Sequence, residues 1–156
     1  MRKKILLTTS LMVMVSVFIA AGIYAGTNVP NVIKLKTAKY AKHKKKIVKF
    51  EHLKHQQDYR QKYPDFYKSN CGECHHDQNN KPRQNLKAGM EVKKCIECHK
   101  KPKHVAGKKA KKLSKKEQRQ YHANALHENC RECHKKINKK TKKKAAPTTC
   151  KKCHRA

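Results

Sequence analysis

Large aliphatic side chains are scarce in this sequence. Beyond residue 25, only 16 of 131 positions are Leu, Ile, Val or Phe. Negative charge is scarce too: 10 Asp and Glu stand against 41 Lys and Arg, and the formal net charge is +31. A chain with fewer than about 20% of those four apolar types and a high net charge cannot bury enough of its own surface to offset the entropy of ordering. That excludes an ordinary hydrophobic-core globule. Either the chain is disordered, or something outside the polypeptide builds the core. Methionine is nearly absent as well: past residue 25 the single one is Met90.

The one long apolar run lies at the N-terminus. Residues 5–25 are nearly uncharged and follow Arg2, Lys3 and Lys4, the layout of a secretory signal. A cut after Ala25 would leave Ile23 at position −3. The run is also long enough to span a bilayer if it stays uncleaved. Residues 1–25 are therefore expected to be a signal peptide or an N-terminal anchor. Both readings place the rest of the chain outside the cytoplasm. Residues 26–46, rich in Lys, are expected to be a flexible basic linker.

All eight cysteines fall into four copies of one motif, with none left over: Cys71-Gly72-Glu73-Cys74-His75, Cys95-Ile96-Glu97-Cys98-His99, Cys130-Arg131-Glu132-Cys133-His134 and Cys150-Lys151-Lys152-Cys153-His154. Cys-x-x-Cys-His is a c-type haem attachment signature. Residues three apart share a helix face, so two thiols reach the two vinyl groups of one porphyrin while the next residue supplies a nitrogen to the iron. The gaps of 20 residues (76–94 plus His75) and 16 residues (134–149) between motifs also fit a zinc ribbon, and export favours a disulfide scaffold. Neither rival explains a His after every second Cys when His fills only 11 of 156 positions. The expectation is four covalently attached haems. The porphyrins then form the core, wrapped by loops and short helices with little regular structure. The domain is expected over residues 47–156.

Each iron has a second axial position. One Met cannot serve four irons, whereas seven His lie outside the motifs: His43, His52, His55, His76, His104, His122 and His127. Bis-His coordination at every iron is expected. It points to low potentials, since Met ligation raises them, and it leaves no open position for a substrate. That favours an electron carrier over an enzyme; the alternative is a multihaem reductase with one open haem site. His76 follows His75 directly. Neighbours on a helix point about 100° apart, so His76 is expected to reach a second haem. His52 and His55 share a face and could anchor two haems from one segment. His127 is favoured over His122 as the ligand supplied just before the third motif. His43 and His104 are expected to be solvated.

Val48-x-Phe50-x-His52-x-x-His55, the Cys-x-x-Cys-His-His run ending at His76, and a lone His before the third motif together resemble class III cytochrome c, the tetrahaem cytochrome c3 type, over about residues 47–154. The resemblance implies a compact, mostly irregular and α-helical multihaem fold, with a short N-terminal β-hairpin. It implies haem 1 on Cys71 and Cys74 with His75 and His52 axial, and haem 2 on Cys95 and Cys98 with His99 and His76. Haem 3 falls on Cys130 and Cys133 with His134 and His55, and haem 4 on Cys150 and Cys153 with His154 and His127. It implies a periplasmic carrier of anaerobic, often sulfate-respiring, bacteria that takes electrons from hydrogenase or formate dehydrogenase and passes them to membrane multihaem complexes. One departure is the long stretch of residues 56–70, with Tyr59, Tyr63, Phe66 and Tyr67, expected to pack on a haem or to form a docking loop.

Basic runs occur at residues 42–46, 108–112 and 135–144. A basic surface around an exposed haem edge steers acidic partners, an effect that weakens with salt. Acidic redox proteins are the expected partners, with a docking face near haem 4. Contact with anionic lipid is a further expectation; nucleic acid is not, because the chain is exported.

Overall fold

The computed structural model describes residues 29–155. The apolar run of residues 5–25 lies outside them; among the described residues no helix is long and apolar enough to cross a membrane. Val29 and Ala88–Glu91 belong to one unit, and Ala88–Glu91 turns through Gly89 at φ 86°. The second unit, Pro30–Lys87 with residues 92–155, carries all four motifs.

Regular structure in this second unit is sparse, as the composition requires. Strands β1 (Ile33–Lys34) and β2 (Lys49–Phe50) pair antiparallel, Ile33 opposite Phe50. The short helices α1 (His52–Gln56) and α2 (Asp58–Lys62) follow, then two 3₁₀ turns, Pro64–Phe66 and Asn70–Glu73. Next come α3 (Cys95–Cys98), α4 (Gly107–Lys111), α5 (Lys115–Arg119), the long α6 (His122–Thr141) and α7 (Cys150–Cys153). The two-stranded sheet matches the expected hairpin. Residues 26–46, expected as a linker, enter the fold from Asn31 onward: Leu53 N–H donates to the Asn31 carbonyl at 3.1 Å and Leu35 N–H to that of Val48 at 2.9 Å.

Helix α6, at 20 residues, is longer than the expected short helices. Its span contains no Gly or Pro, and its four Lys, two Glu, two Ala and Leu126 are all favoured in helix interiors. Lys139 and Lys140 complement the negative end of the helix dipole. Lys142 ends it in the left-handed conformation at φ 53°, the usual C-terminal stop. The short α5 starts on a capping box, in which Ser114 Oγ accepts from Glu117 N–H and the Glu117 carboxylate accepts from Ser114 N–H at 2.7 Å.

Among the described residues only Leu86, Val105 and Ile137 are buried hydrophobics, and none is below 2% exposure. Polar side chains of α6 do the joining that an apolar core would otherwise do. Asn124 holds Val105 twice, accepting from its N–H and donating to its carbonyl, both at 2.9 Å. Asn138 holds Ala146 the same way at 2.9 Å. Asn129 donates to the Cys74 carbonyl at 3.4 Å and Arg131 to that of Thr148 at 3.1 Å. Glu128 accepts from Arg119 Nη2 and Nε, at 2.8 and 3.0 Å. Lys140 pairs with Asp65 and lies over the Phe66 ring, so residues 56–70 dock along α6.

Candidate functional site

Every motif is one helical turn. In the first, His75 N–H donates to the Cys71 carbonyl at 3.0 Å; in the second, His99 to Cys95 at 2.9 Å; in the fourth, His154 to Cys150 at 2.8 Å. The third lies inside α6. The turn puts the two thiols one behind the other with His at its end. A glutamate of the motif braces two of these turns: Glu73 accepts from Ser69 N–H and Glu97 from Lys94 N–H, both at 2.8 Å. The sequence signal was a Glu before the second Cys in three motifs, and its role was missed. Gly72 is buried, and a Cβ there would stand 3.0 Å from Pro82 Cβ and 3.1 Å from Arg83 N. Only glycine lets the strand-like 82–83 segment close on the first motif.

All eight thiols are free and none is buried, as attachment to a group outside the polypeptide requires. Partial burial pushes the Cys130 thiol up to about 11. Among the described residues no three His, Cys, Asp or Glu groups converge on a point that would hold a bare ion.

The histidines converge in pairs instead. His52 faces His75 with ring centroids 6.4 Å apart. His76 faces His99 at 5.9 Å. His55 faces His134 at 6.2 Å, and His127 faces His154 at 6.3 Å. Two imidazole nitrogens, each about 2 Å from one metal, hold their ring centroids about 6 Å apart. Each pair therefore has the spacing of two axial ligands on one iron, and each includes the His of one Cys-x-x-Cys-His turn. The residues present fit c-type haem. These are the pairs the resemblance implied.

The second nitrogens of these rings agree. A carbonyl can only accept, so a ring nitrogen bonded to one carries the proton and leaves the other free to ligate. His55 Nδ1 donates to Glu51 at 2.9 Å, His76 to Asp77 at 2.7 Å, His134 to Pro147 at 2.7 Å and His154 to Lys46 at 2.7 Å. His99 Nδ1 donates to the Arg119 carbonyl. Burial lowers the pKa of His52, His55, His75 and His127, favouring the neutral ring a metal requires. Phe50 lies against both His52 and His55, with centroids 5.8 and 4.7 Å away. Tyr59 meets the edge of His55 at 5.0 Å. Tyr67 is half-buried beside Cys133 and Cys74, and burial raises its phenol pKa.

The three remaining histidines separate. His122 is buried and Tyr40 Oη lies 3.1 Å from its Nδ1, so it clasps the N-terminal segment to the start of α6 and is not brought to His154. His43, expected to be solvated, is not simply so, whereas His104 is exposed as expected. His43 stacks on Tyr40 at 5.2 Å, with its Nε2 enclosed and without a hydrogen-bond partner among the described residues. His104 meets His127 edge-on at 5.0 Å.

Comparison with curated proteins and with solved structures returned no match. A family model, the class III cytochrome c family, matches residues 29–154 and so takes in all four motifs and every paired histidine. The chain belongs to the class III cytochrome c family, c-type haem proteins of multihaem electron transfer.

Proposed function

We propose that the chain is a periplasmic, low-potential electron carrier with four bis-His haems. The observation that carries this reading is the set of four His–His pairs at 5.9–6.4 Å, one per motif. Haem, when bound, would supply one-electron exchange. The chain's own residues do the rest. Thiols of each turn would fix the group covalently, and the neutral imidazoles of each pair would hold its metal. The absence of Met from every pair keeps the potentials low.

Shared backbone ties the sites together. His75 and His76 are adjacent and serve the first and second sites. His52 and His55 sit on one turn, α1, and serve the first and third. His127 and His134 lie two turns apart on α6, about 10 Å along its axis, and serve the fourth and third. The sites are thus joined in the order second, first, third, fourth, and electron passage among them needs no moving part.

Basic segments gather at the fourth motif. The Lys46 carbonyl accepts from His154, Lys152 Nζ donates to the Lys144 carbonyl, and Arg155 donates to Lys152. This supports docking of an acidic redox partner beside the fourth site, such as a periplasmic hydrogenase, formate dehydrogenase or membrane multihaem complex, with on-rates that fall as salt rises. Periplasmic location is typical of the family, and residues 1–25 suit export or tethering. The test is expression with a c-type maturation system. A pyridine haemochrome of four haems per chain and an electron paramagnetic resonance (EPR) spectrum wholly low-spin are expected. Zinc without haem would overturn the reading, and a high-spin fraction in the unaltered protein would favour a reductase with an open site.

A further inference from the structure

His104 is the one histidine outside the four pairs whose ring contacts a paired histidine: it meets His127 edge-on, centroids 5.0 Å apart, rings at 85°. Its place is held from both sides. On one side Lys101 N–H donates to the Gln120 carbonyl at 3.0 Å and the Lys101 carbonyl accepts from His122 N–H at 2.9 Å. On the other, Asn124 clamps Val105 at both backbone groups, and Val105 is buried at 5% exposure. Both anchors are on or beside the start of α6, the helix that carries His127. Between them, Pro102, Lys103 and His104 form a short loop with His104 itself exposed. The backbone is therefore fixed while the imidazole is free to change rotamer.

His127 is the less constrained partner of its pair. His154 Nδ1 is tied to the Lys46 carbonyl at 2.7 Å, whereas no described residue accepts a hydrogen bond from His127. We propose that His104 is a reserve axial ligand of the fourth site: when His127 leaves the iron, His104 turns into its place and keeps the coordination closed. One χ1 change sweeps an imidazole through a distance comparable to the separation of the two rings. The exchange is a ligand substitution; one imidazole nitrogen bond to iron breaks, another forms, and no electron or proton is transferred. Its consequence is that the site nearest the basic surface does not open to small diatomic ligands when its distal bond breaks. The proposal rests on the bis-His reading of the fourth site, and the experiment separates the two.

The holoproteins to compare are the unaltered protein, His104→Ala, His127→Gln and the double variant, each checked for four haems by pyridine haemochrome. EPR spin state and carbon monoxide binding are the readouts. Four low-spin haems are expected in the unaltered protein and in His104→Ala. His127→Gln is expected to remain low-spin with little carbon monoxide bound, whereas the double variant gives one high-spin iron and one carbon monoxide per chain. One high-spin iron in His127→Gln alone overturns the proposal while leaving the bis-His reading intact. Four low-spin irons in the double variant overturn the assignment of His127 itself. Should His127→Gln fail to take up four haems, His127→Ala and its double variant with His104→Ala are read by the same criteria.

Discussion

Replacing His55 by alanine tests the pairing of the third site. Its ring faces His134 at 6.2 Å, and its Nδ1 donates to the Glu51 carbonyl at 2.9 Å. The nearest other histidine on its turn is His52, which faces His75 at 6.4 Å and is already in use. No reserve ring contacts His55 or His134 among the described residues, unlike the fourth site. The substitution should therefore convert one iron of four to high spin and leave three unchanged. Carbon monoxide should bind at one per chain, and the potential of that haem should rise. Stability should fall too. The lost hydrogen bond contributes about 1 kcal/mol, and the ring contacts with Phe50 at 4.7 Å and Tyr59 at 5.0 Å contribute about 1 kcal/mol more. A loss of about 2 kcal/mol, before any contribution from the iron bond, should appear in denaturant unfolding of the holoprotein. EPR integration against a haem count is the decisive assay. Four low-spin irons would refute the pairing of His55 with His134. Two high-spin irons would mean that α1 does not hold His52 independently of His55.

Four further outcomes follow from the same geometry. Asn124→Ala strips both partners from the buried Val105 backbone and should cost about 2–4 kcal/mol, measured by denaturant unfolding; a change under about 0.5 kcal/mol would count against the clamp. Gly72→Ala places a methyl 3.0–3.2 Å from residues 82 and 83 and should destabilise by about 1–3 kcal/mol, with the haem count showing whether the first attachment suffers. Glu128→Gln breaks the two-pronged contact with Arg119, a partly exposed pair of about 1 kcal/mol or less. Arg119 holds the Glu128 carboxyl below its ordinary pKa, so this stabilisation is present above the unfolded carboxylate range and is lost as pH falls through the depressed folded value; the difference between the two proteins should vanish in acid unfolding curves. Finally, the second and third sites have both imidazoles tied to backbone carbonyls, which strengthens them as ligands. In spectroelectrochemical titration those haems should reduce at lower potential than the first, where neither His52 nor His75 has such a bond among the described residues; the reverse order would argue against hydrogen bonding as the controlling difference.

Attachment chemistry was legible in the sequence because it is local. Two thiols three residues apart and a following His define one helical turn wherever they occur, and His75, His99, His134 and His154 each end such a turn in the structure. The lack of Leu, Ile, Val and Phe likewise announced a core that the polypeptide does not make alone, and three buried apolar side chains agree. The clamps of α6 were not legible. Asn124, Asn129 and Asn138 look like ordinary polar residues in a Lys-rich stretch, and only the fold reveals which carbonyls they meet. Nor did sequence show that the exposed His104 ring meets His127.

What the sequence determined by itself was how many Cys-x-x-Cys-His turns there are and where they lie, because each depends on residues within one turn. What the tertiary structure decided was which distant rings meet: His55 with His134 across 79 positions, and His127, not His122, with His154. No local periodicity encodes those encounters. They depend on where α6 lies against the rest of the chain, and that position is held by side-chain hydrogen bonds between segments far apart in sequence.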